Sequence, residues 1–170
     1  MASPIECETA PLGVRPIGVI HSPFVQQEGT PIQPYSAGDA VGTVEIAPGF
    51  RDALLDLEGF ERIWLIYWFD RSRPAALRVV PYRDTREHGL FATRVPARIN
   101  PIGMSTVRLL SIEGCRIHVG EIDILDGTPL LDVKPYVPRY DAYPNVRAGW
   151  LDRSGLPQDP MRADSRFSRG

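Results

Sequence analysis

Four polar clusters in this 170-residue chain carry side chains that can do chemistry together. Pro31-Ile32-Gln33 lies in a loop rich in Gly, Pro and Gln. Asp70-Arg71-Ser72 ends the apolar run RIWLIYWF. Arg94 precedes Arg98-Ile99-Asn100-Pro101-Ile102-Gly103-Met104, and Asp126-Gly127-Thr128-Pro129 runs on to Leu131-Asp132-Val133-Lys134-Pro135-Tyr136. Between them they offer carboxylates, an amide and guanidinium groups. Arginine pairs with a carboxylate at two points, aspartate offsets a cationic centre, and glycine lets a ligand approach the backbone. Each cluster alone also reads as turn chemistry, since Asp-Gly-Thr-Pro and Asn-Pro punctuate loops in any protein. Their common position at strand ends, where the mouth of a barrel converges, points to a site.

Other chemistries lack their parts. No GxGxxG follows a strand, so the usual dinucleotide or Rossmann-methyltransferase fingerprint is absent. There is no P-loop, HExxH or GxSxG. His21, His88 and His118 are scattered, and read as surface or satisfied-core residues rather than ligands. Cys7 and Cys115 have no CxxC spacing and read as a tail thiol and a small buried hydrophobe. No metal site is expected. The N-terminus carries Glu6 and Glu8 and lacks the basic-then-apolar pattern of a secretory signal, and no apolar run is long enough to span a bilayer as a helix. A cytoplasmic protein is expected.

Charge is unevenly spread. Residues 71–98 hold seven arginines against Asp84 and Glu87, five positive charges net, in a chain whose net charge is −2. Such a segment suits phosphate, or it is simply a solvated arginine-rich surface. Lys134 is the one lysine; guanidinium groups, unlike ammonium, grip phosphate in two-point fashion and stack on bases.

The elements that must position these clusters are short. Residues 43% hydrophobic, with 17 prolines and 15 glycines, favour strands and ordered loops over long helices. Strands are predicted at 14–22, 42–47, 62–69, 89–95, 103–112, 115–122 and 129–133, with a tight hairpin at Glu113-Gly114. Pro48, the stripe Phe50, Leu54, Leu57 and a closing Gly59 predict one short helix. The run 62–69 is apolar on both faces, as in a buried barrel wall or one covered by a partner subunit. The expected fold is all-β: a small single-sheet barrel of mixed pairing over 14–152, a tail at 1–13 and a second tail at 153–170.

Longer motifs then carry a resemblance. RPIGVIHSPF, EGFERIWLIYWFDRS, FATRVPARINPIGMS and DILDGTPLLDVKPYVP together resemble the TrmO/TsaA-like family over residues 14–152. Asp70 stands where many members have histidine, Val95 replaces a serine, and Ile99 replaces the first proline of RPNPIG. The resemblance implies a dimeric β-barrel that binds S-adenosylmethionine and methylates N6 of threonylcarbamoyladenosine beside the anticodon in tRNA. Carried over by motif, the cofactor contacts would be Pro31, Ile32, Gln33, Asp70, Arg71, Arg94, Met104, Asp126, Gly127, Thr128 and Pro129. Arg98, Asn100, Lys134, Tyr136 and Arg139 would face the anticodon loop, and Asp126, then Tyr136, are the candidate bases. Two alternatives stay open: the same cofactor with a small molecule or another RNA as acceptor, or a non-catalytic cofactor-binding module.

Overall fold

The computed structural model describes residues 13–154 and 161–167. The expected N-terminal tail, Cys7 included, lies outside the described residues apart from Gly13. Six antiparallel strands close into a barrel: β1 (Gly18–His21), β2 (Val41–Ile46), β3 (Arg62–Trp68), β6 (Ile102–Glu113), β7 (Arg116–Gly120) and β8 (Thr128–Pro135), in the spatial order β1-β2-β7-β6-β3-β8. β8 pairs back onto β1 through Leu130 opposite Gly18, so no edge is left open. Every pairing is antiparallel, which corrects the expectation of mixed pairing. Successive barrel strands run in alternating directions: β1–β2, β3–β6 and β6–β7 join neighbours, while β2–β3 and β7–β8 join strands that are not adjacent. Among the described residues no helical crossover makes a parallel neighbour.

Alternation fills the interior. Ile20, Val44, Ile63, Leu65, Val107, Ile117, Val119 and Leu130 are all fully buried, each contributing about 1.5–3 kcal/mol of transfer free energy. The wall strand β3 points Ile63, Leu65 and Tyr67 inward, while Trp64, Ile66 and Trp68 lie half-buried on its outer face. The β6–β7 hairpin turns through Gly114 and Cys115, and Gly114 takes φ 64°, a conformation that costs glycine little.

The predicted helix is not α-helical. Residues Pro48–Leu54 and Leu57–Gly59 form two 3₁₀ segments, broken where Leu55 is extended and Asp56 turns left-handed at φ 65°. Gly59 is therefore not the left-handed cap. The apolar stripe still does what its spacing implies, since Phe50, Leu54 and Leu57 pack against the barrel core. A stripe three to four residues apart does not distinguish 3₁₀ from α geometry over so short a stretch. Among the described residues the one α-turn is Pro138–Asp141, α1. The predicted strand at 89–95 is also replaced. Only His88–Gly89 (β5) pairs, with Arg78–Val79 (β4), and Leu90–Ala92 forms a 3₁₀ turn. Those apolar residues belong to a second small cluster of Val79, Leu90, Val95, Ala97 and Phe167. The first strand shortens to Gly18–His21.

Antiparallel closure sorts the connections. At one end, here the upper rim, lie the β1–β2 loop, the long β3–β6 loop that carries β4 and β5, and the β7–β8 loop. The opposite end holds the 3₁₀ segments, the tight β6–β7 turn and the exit of β8.

Gly103 of the Pro-Ile-Gly motif lies directly across from Tyr67, and a Cβ there would overlap the buried Tyr67 ring. Gly103→Ala is expected to cost about 1–3 kcal/mol of folding stability by overpacking. Urea unfolding measures it; an unchanged midpoint would mean that the Tyr67 ring is not packed on that glycine.

Candidate functional site

All four polar clusters reach the upper rim because their loops start or end there, and they meet in two pairs. Asp70 and Arg71 follow the last residue of β3, and Asp126 to Thr128 lead into β8, the neighbouring strand. Arg71 joins the two. One nitrogen of its guanidinium, Nη2, donates to the Asp126 carbonyl at 2.7 Å and to Thr128 Oγ1 at 3.1 Å, while Nε donates to Asp70 Oδ1 at 3.3 Å. Asp70 thus orients Arg71, and Arg71 braces the Asp-Gly-Thr turn. The turn itself needs Gly127 at φ 76°; the Asp126 amide donates to Phe24 O at 2.7 Å and the Gly127 amide to Ile20 O at 2.8 Å.

The Asp126 side chain faces β1. Its Oδ1 accepts the Ser22 amide at 3.2 Å and lies 3.3 Å from His21 Nδ1; His21 Nε2 is 3.6 Å from Glu45. His21, read from sequence as a scattered histidine, is therefore the carboxylate's nearest charged-type neighbour. The HSP tripeptide was the available signal, but its meaning depends on a pairing 105 residues away in the chain.

The β1–β2 loop meets the β3–β6 loop at a second point on the same rim. Arg94 Nη1 donates to Gln33 Oε1 at 3.0 Å, and Gln33 Nε2 donates to Ile32 O. Pro31 is bridged to Arg162 in the last described segment. Arg98 donates to Thr93 O at 2.9 Å, holding its own loop, and the Asn100 carbonyl accepts the Ile102 amide at 2.7 Å. Pro129 is the second residue of β8. Met104 lies on the outer face of β6, 45% exposed, opposite Ile66.

Lys134, Tyr136 and Arg139 do not join this group. β8 runs from Thr128 at the rim to Pro135 at the far end, so Tyr136 sits roughly 25 Å of strand away from the Asp126 turn. Lys134 Nζ instead pairs with Asp132 at 2.6 Å, and Tyr136 packs on Trp64, ring centres 5.8 Å apart. The two candidate bases, Asp126 and Tyr136, therefore stand at opposite ends of one strand.

A buried polar group lies just beneath the rim. Tyr67 and Ser105 hydrogen-bond at 3.1 Å inside the barrel, and the Asp123 carboxyl joins Ser105. Asp123 is half-buried as a residue, yet its Oδ1 is sealed from solvent without a hydrogen-bond partner. Burial pushes this carboxyl up to about 7, against the opposing pull of the Ser105 hydroxyl. Burial, and then the Asp123 charge, raises the Tyr67 hydroxyl above its ordinary range.

Two surface cavities, of about 380 and 370 Å³, flank the rim: one lined by Val80, Asp84, Thr85, Arg166 and Phe167, the other by His21, Ser22, Val41, Thr43, Leu110 and His118. Neither is lined by the Arg71 or Arg94 groups. Among the described residues no cluster of three or more metal-ligating side chains occurs, and no helix is long and apolar enough to cross a membrane.

A closed six-strand barrel whose signature turns all lie in the loops of one rim defines a small ligand-binding β-barrel class. Comparison with known proteins narrows this. Residues 19–142 match the family model described as the tRNA-methyltransferase O N-terminal domain, and the chain belongs to that family. A Pyrococcus abyssi protein named a probable S-adenosyl-L-methionine-binding protein is 51% identical over 153 residues, covering 90% of this chain and 83% of that protein. The human protein named tRNA (adenine(37)-N6)-methyltransferase is 33% identical over 157 residues, 85% of this chain but 36% of its own length. The crystal structure of TrmO from Pseudomonas aeruginosa superposes with a TM-score of 0.73 at 41% identity, covering 84% of this chain and 64% of that one. The chain thus spans less than two thirds of the crystallised relative.

The Asp123 carboxyl sets a pH dependence. Its folded value lies above the ordinary 3.8, so the native state holds a proton that the unfolded chain has lost. Stability therefore falls as pH rises from about 4 to 7 and is level above that window. Asp123→Asn is expected to abolish this slope and to raise stability at pH 8 by on the order of 2–4 kcal/mol. Urea titrations at several pH values measure it, and identical slopes in the two proteins would refute it.

Proposed function

We propose that the chain is an S-adenosylmethionine-dependent methyltransferase that methylates N6 of threonylcarbamoyladenosine at position 37 of tRNA. The observation that carries this reading is the gathering of the family's signature turns on one rim, with Arg71 bracing the Asp-Gly-Thr turn. The donor set fits the cofactor's chemistry. A guanidinium at Arg94 suits the methionine carboxylate, carboxylates at Asp70 and Asp126 suit an ammonium, a sulfonium or ribose hydroxyls, and the backbone at Gly127 admits a flat base. Pro31, Ile32 and Gln33 would line the opposite side, and Met104 and Pro129 would offer apolar contact beside the turn.

When bound, S-adenosylmethionine supplies an activated methyl group that is displaced in line, so the protein's task is alignment. The acceptor nitrogen must also lose a proton. Asp126 would take it, and His21, 3.3 Å away, would share the charge. Arg98 and Asn100, in the rim loop, would meet the RNA. Lys134, Tyr136 and Arg139 would contribute only where a second chain brings its far end to this rim, in keeping with a homodimer. The half-buried Trp64 and Trp68 with exposed Met104 and Ile102 on the outer barrel face support such pairing. Sedimentation as a monomer at micromolar concentration would argue against it.

Purified protein, S-adenosylmethionine and unmethylated total tRNA are expected to yield the methylated threonylcarbamoyl nucleoside on mass spectrometry. An unchanged nucleoside profile would remove tRNA as the acceptor. The small-molecule alternative is separated by salt, because RNA binding weakens steeply with ionic strength. Arg94→Ala is expected to raise the KM for the cofactor about tenfold or more with kcat little changed, the loss of one charge-assisted pair. Calorimetry without heat on adding the cofactor would remove the cofactor reading itself.

A further inference from the structure

The last described segment, residues 161–167, lies beyond the stretch that matches the family model, 19–142, and it grips both loops that meet at Gln33 and Arg94. Its first half pairs with the β1–β2 loop. Ala163 N donates to Thr30 O at 2.7 Å, Gly29 N donates to Ala163 O at 2.8 Å, and Ile32 N donates to Met161 O at 3.2 Å. Pro31 faces Arg162 in a β-bridge, and the Arg162 guanidinium lies 6.0 Å over the Phe24 ring. Its second half is built into the β3–β6 loop. Phe167, 7% exposed, packs with Val79, Leu90, Val95 and Ala97, and meets Tyr82 edge-on at 5.2 Å. Arg166 Nη1 donates to Pro81 O at 2.9 Å, with its guanidinium 5.1 Å over the Tyr82 ring. Gln27 Nε2 donates to Tyr82 OH at 2.8 Å and returns the circuit to the first loop.

We propose that residues 161–167 form a clasp that positions the Gln33–Arg94 pair for its ligand, with Ala163 and Phe167 as the positioning residues. The inference deepens the cofactor reading and rests on it. Residues 29–32 have few other backbone partners: Thr30 N bonds Gln27 O at 3.0 Å, but Gly29 N and Ile32 N find theirs in the segment. Arg94 sits between Leu90 and Val95, both held against Phe167. Released from the segment, the two loops would sample more conformations, and a ligand would have to order them on binding, which weakens affinity. The barrel core is a separate cluster, so the effect is local and not a general loss of fold.

The test uses the full chain with Phe167→Ala, Ala163→Pro, which removes the N–H given to Thr30, and Phe167→Leu as the conservative variant. Hydrogen exchange and calorimetry with S-adenosylmethionine are the readouts. In both disruptive variants the amides of Gly29 and Ile32, and those of residues 90–95 and Ala97, are expected to exchange at least about tenfold faster while β3 and β6 are unchanged. Cofactor affinity is expected to fall about tenfold, equivalent to about 1.4 kcal/mol, and Phe167→Leu to recover most of it. Faster exchange confined to the loop that each variant touches would overturn the clasp, as would unaltered affinity beside a wild type that binds. A wild type that binds no cofactor would instead overturn the cofactor reading, leaving the exchange data to decide whether the segment orders both loops.

Discussion

A six-stranded barrel closed on itself has no room inside for a ligand. Eight strands give an interior just wide enough for side chains to fill, and here Ile20, Leu65, Val107, Ile117 and Leu130 occupy it completely. Chemistry is therefore pushed to the ends, and antiparallel closure makes the ends unequal. The two connections at the lower end are a tight turn and a pair of 3₁₀ segments whose apolar residues pack against the core. Two of the three loops of the upper rim, β1–β2 and β3–β6, are the longest in the barrel, and all three carry polar motif residues. A cofactor that cannot enter the barrel must be held by loops, and loops must then be braced. This is the opposite of a Rossmann enzyme, in which the strand ends and a helix N-terminus form the cradle.

The bracing is done largely by arginine. Arg71 gives both hydrogen bonds to the Asp126–Thr128 turn, Arg94 ties Gln33, Arg98 closes its own loop on Thr93, and Arg73 reaches Arg166 O at 3.2 Å. Lysine at position 71 would supply a point charge without the planar fork whose Nε and Nη2 reach Asp70 and the turn together. At the Asp70–Arg71 junction a carboxylate adjoining the guanidinium fixes its direction. Asp70 thereby keeps a charged acceptor beside Arg71.

Much of this was legible in the sequence, for reasons that differ by element. Period-two patterning located β2 and β7, and a continuous apolar run located β3, each to within a few residues, because inward and outward positions alternate in a closed barrel while a strand covered on both faces is apolar throughout. The Asp-Gly-Thr-Pro and Asn-Pro-Ile-Gly motifs marked loops that do reach one rim. What failed was whatever depended on contacts distant in the chain. The stripe Phe50, Leu54, Leu57 signals a buried face but not the helix type. Leu90 and Val95 look like strand residues until Phe167, some seventy residues on, is seen to cover them. The segment 153–170 reads as tail from its charge, yet Ala163 and Phe167 are buried. His21 and Asp126 are neighbours only because β1 and β8 seal the barrel. Lys134 and Tyr136 follow the Asp-Gly-Thr-Pro motif closely in sequence, and that nearness misleads: an extended strand carries them away from it at about 3.3 Å per residue.

The same logic changes what the basic segment means. Seven arginines between residues 71 and 98 suggest a surface for phosphate, but at least four of them hydrogen-bond within the protein. Their charge is not thereby lost. A guanidinium carries five N–H donors, and binding one or two carbonyls leaves others pointing outward. An arginine that is already fixed by its neighbours also loses less side-chain entropy on meeting a ligand. The internal hydrogen bonds therefore build the rim and preorganise its positive charge in one arrangement. A structural role for these arginines therefore does not compete with a ligand-facing one, since both would draw on the same geometry.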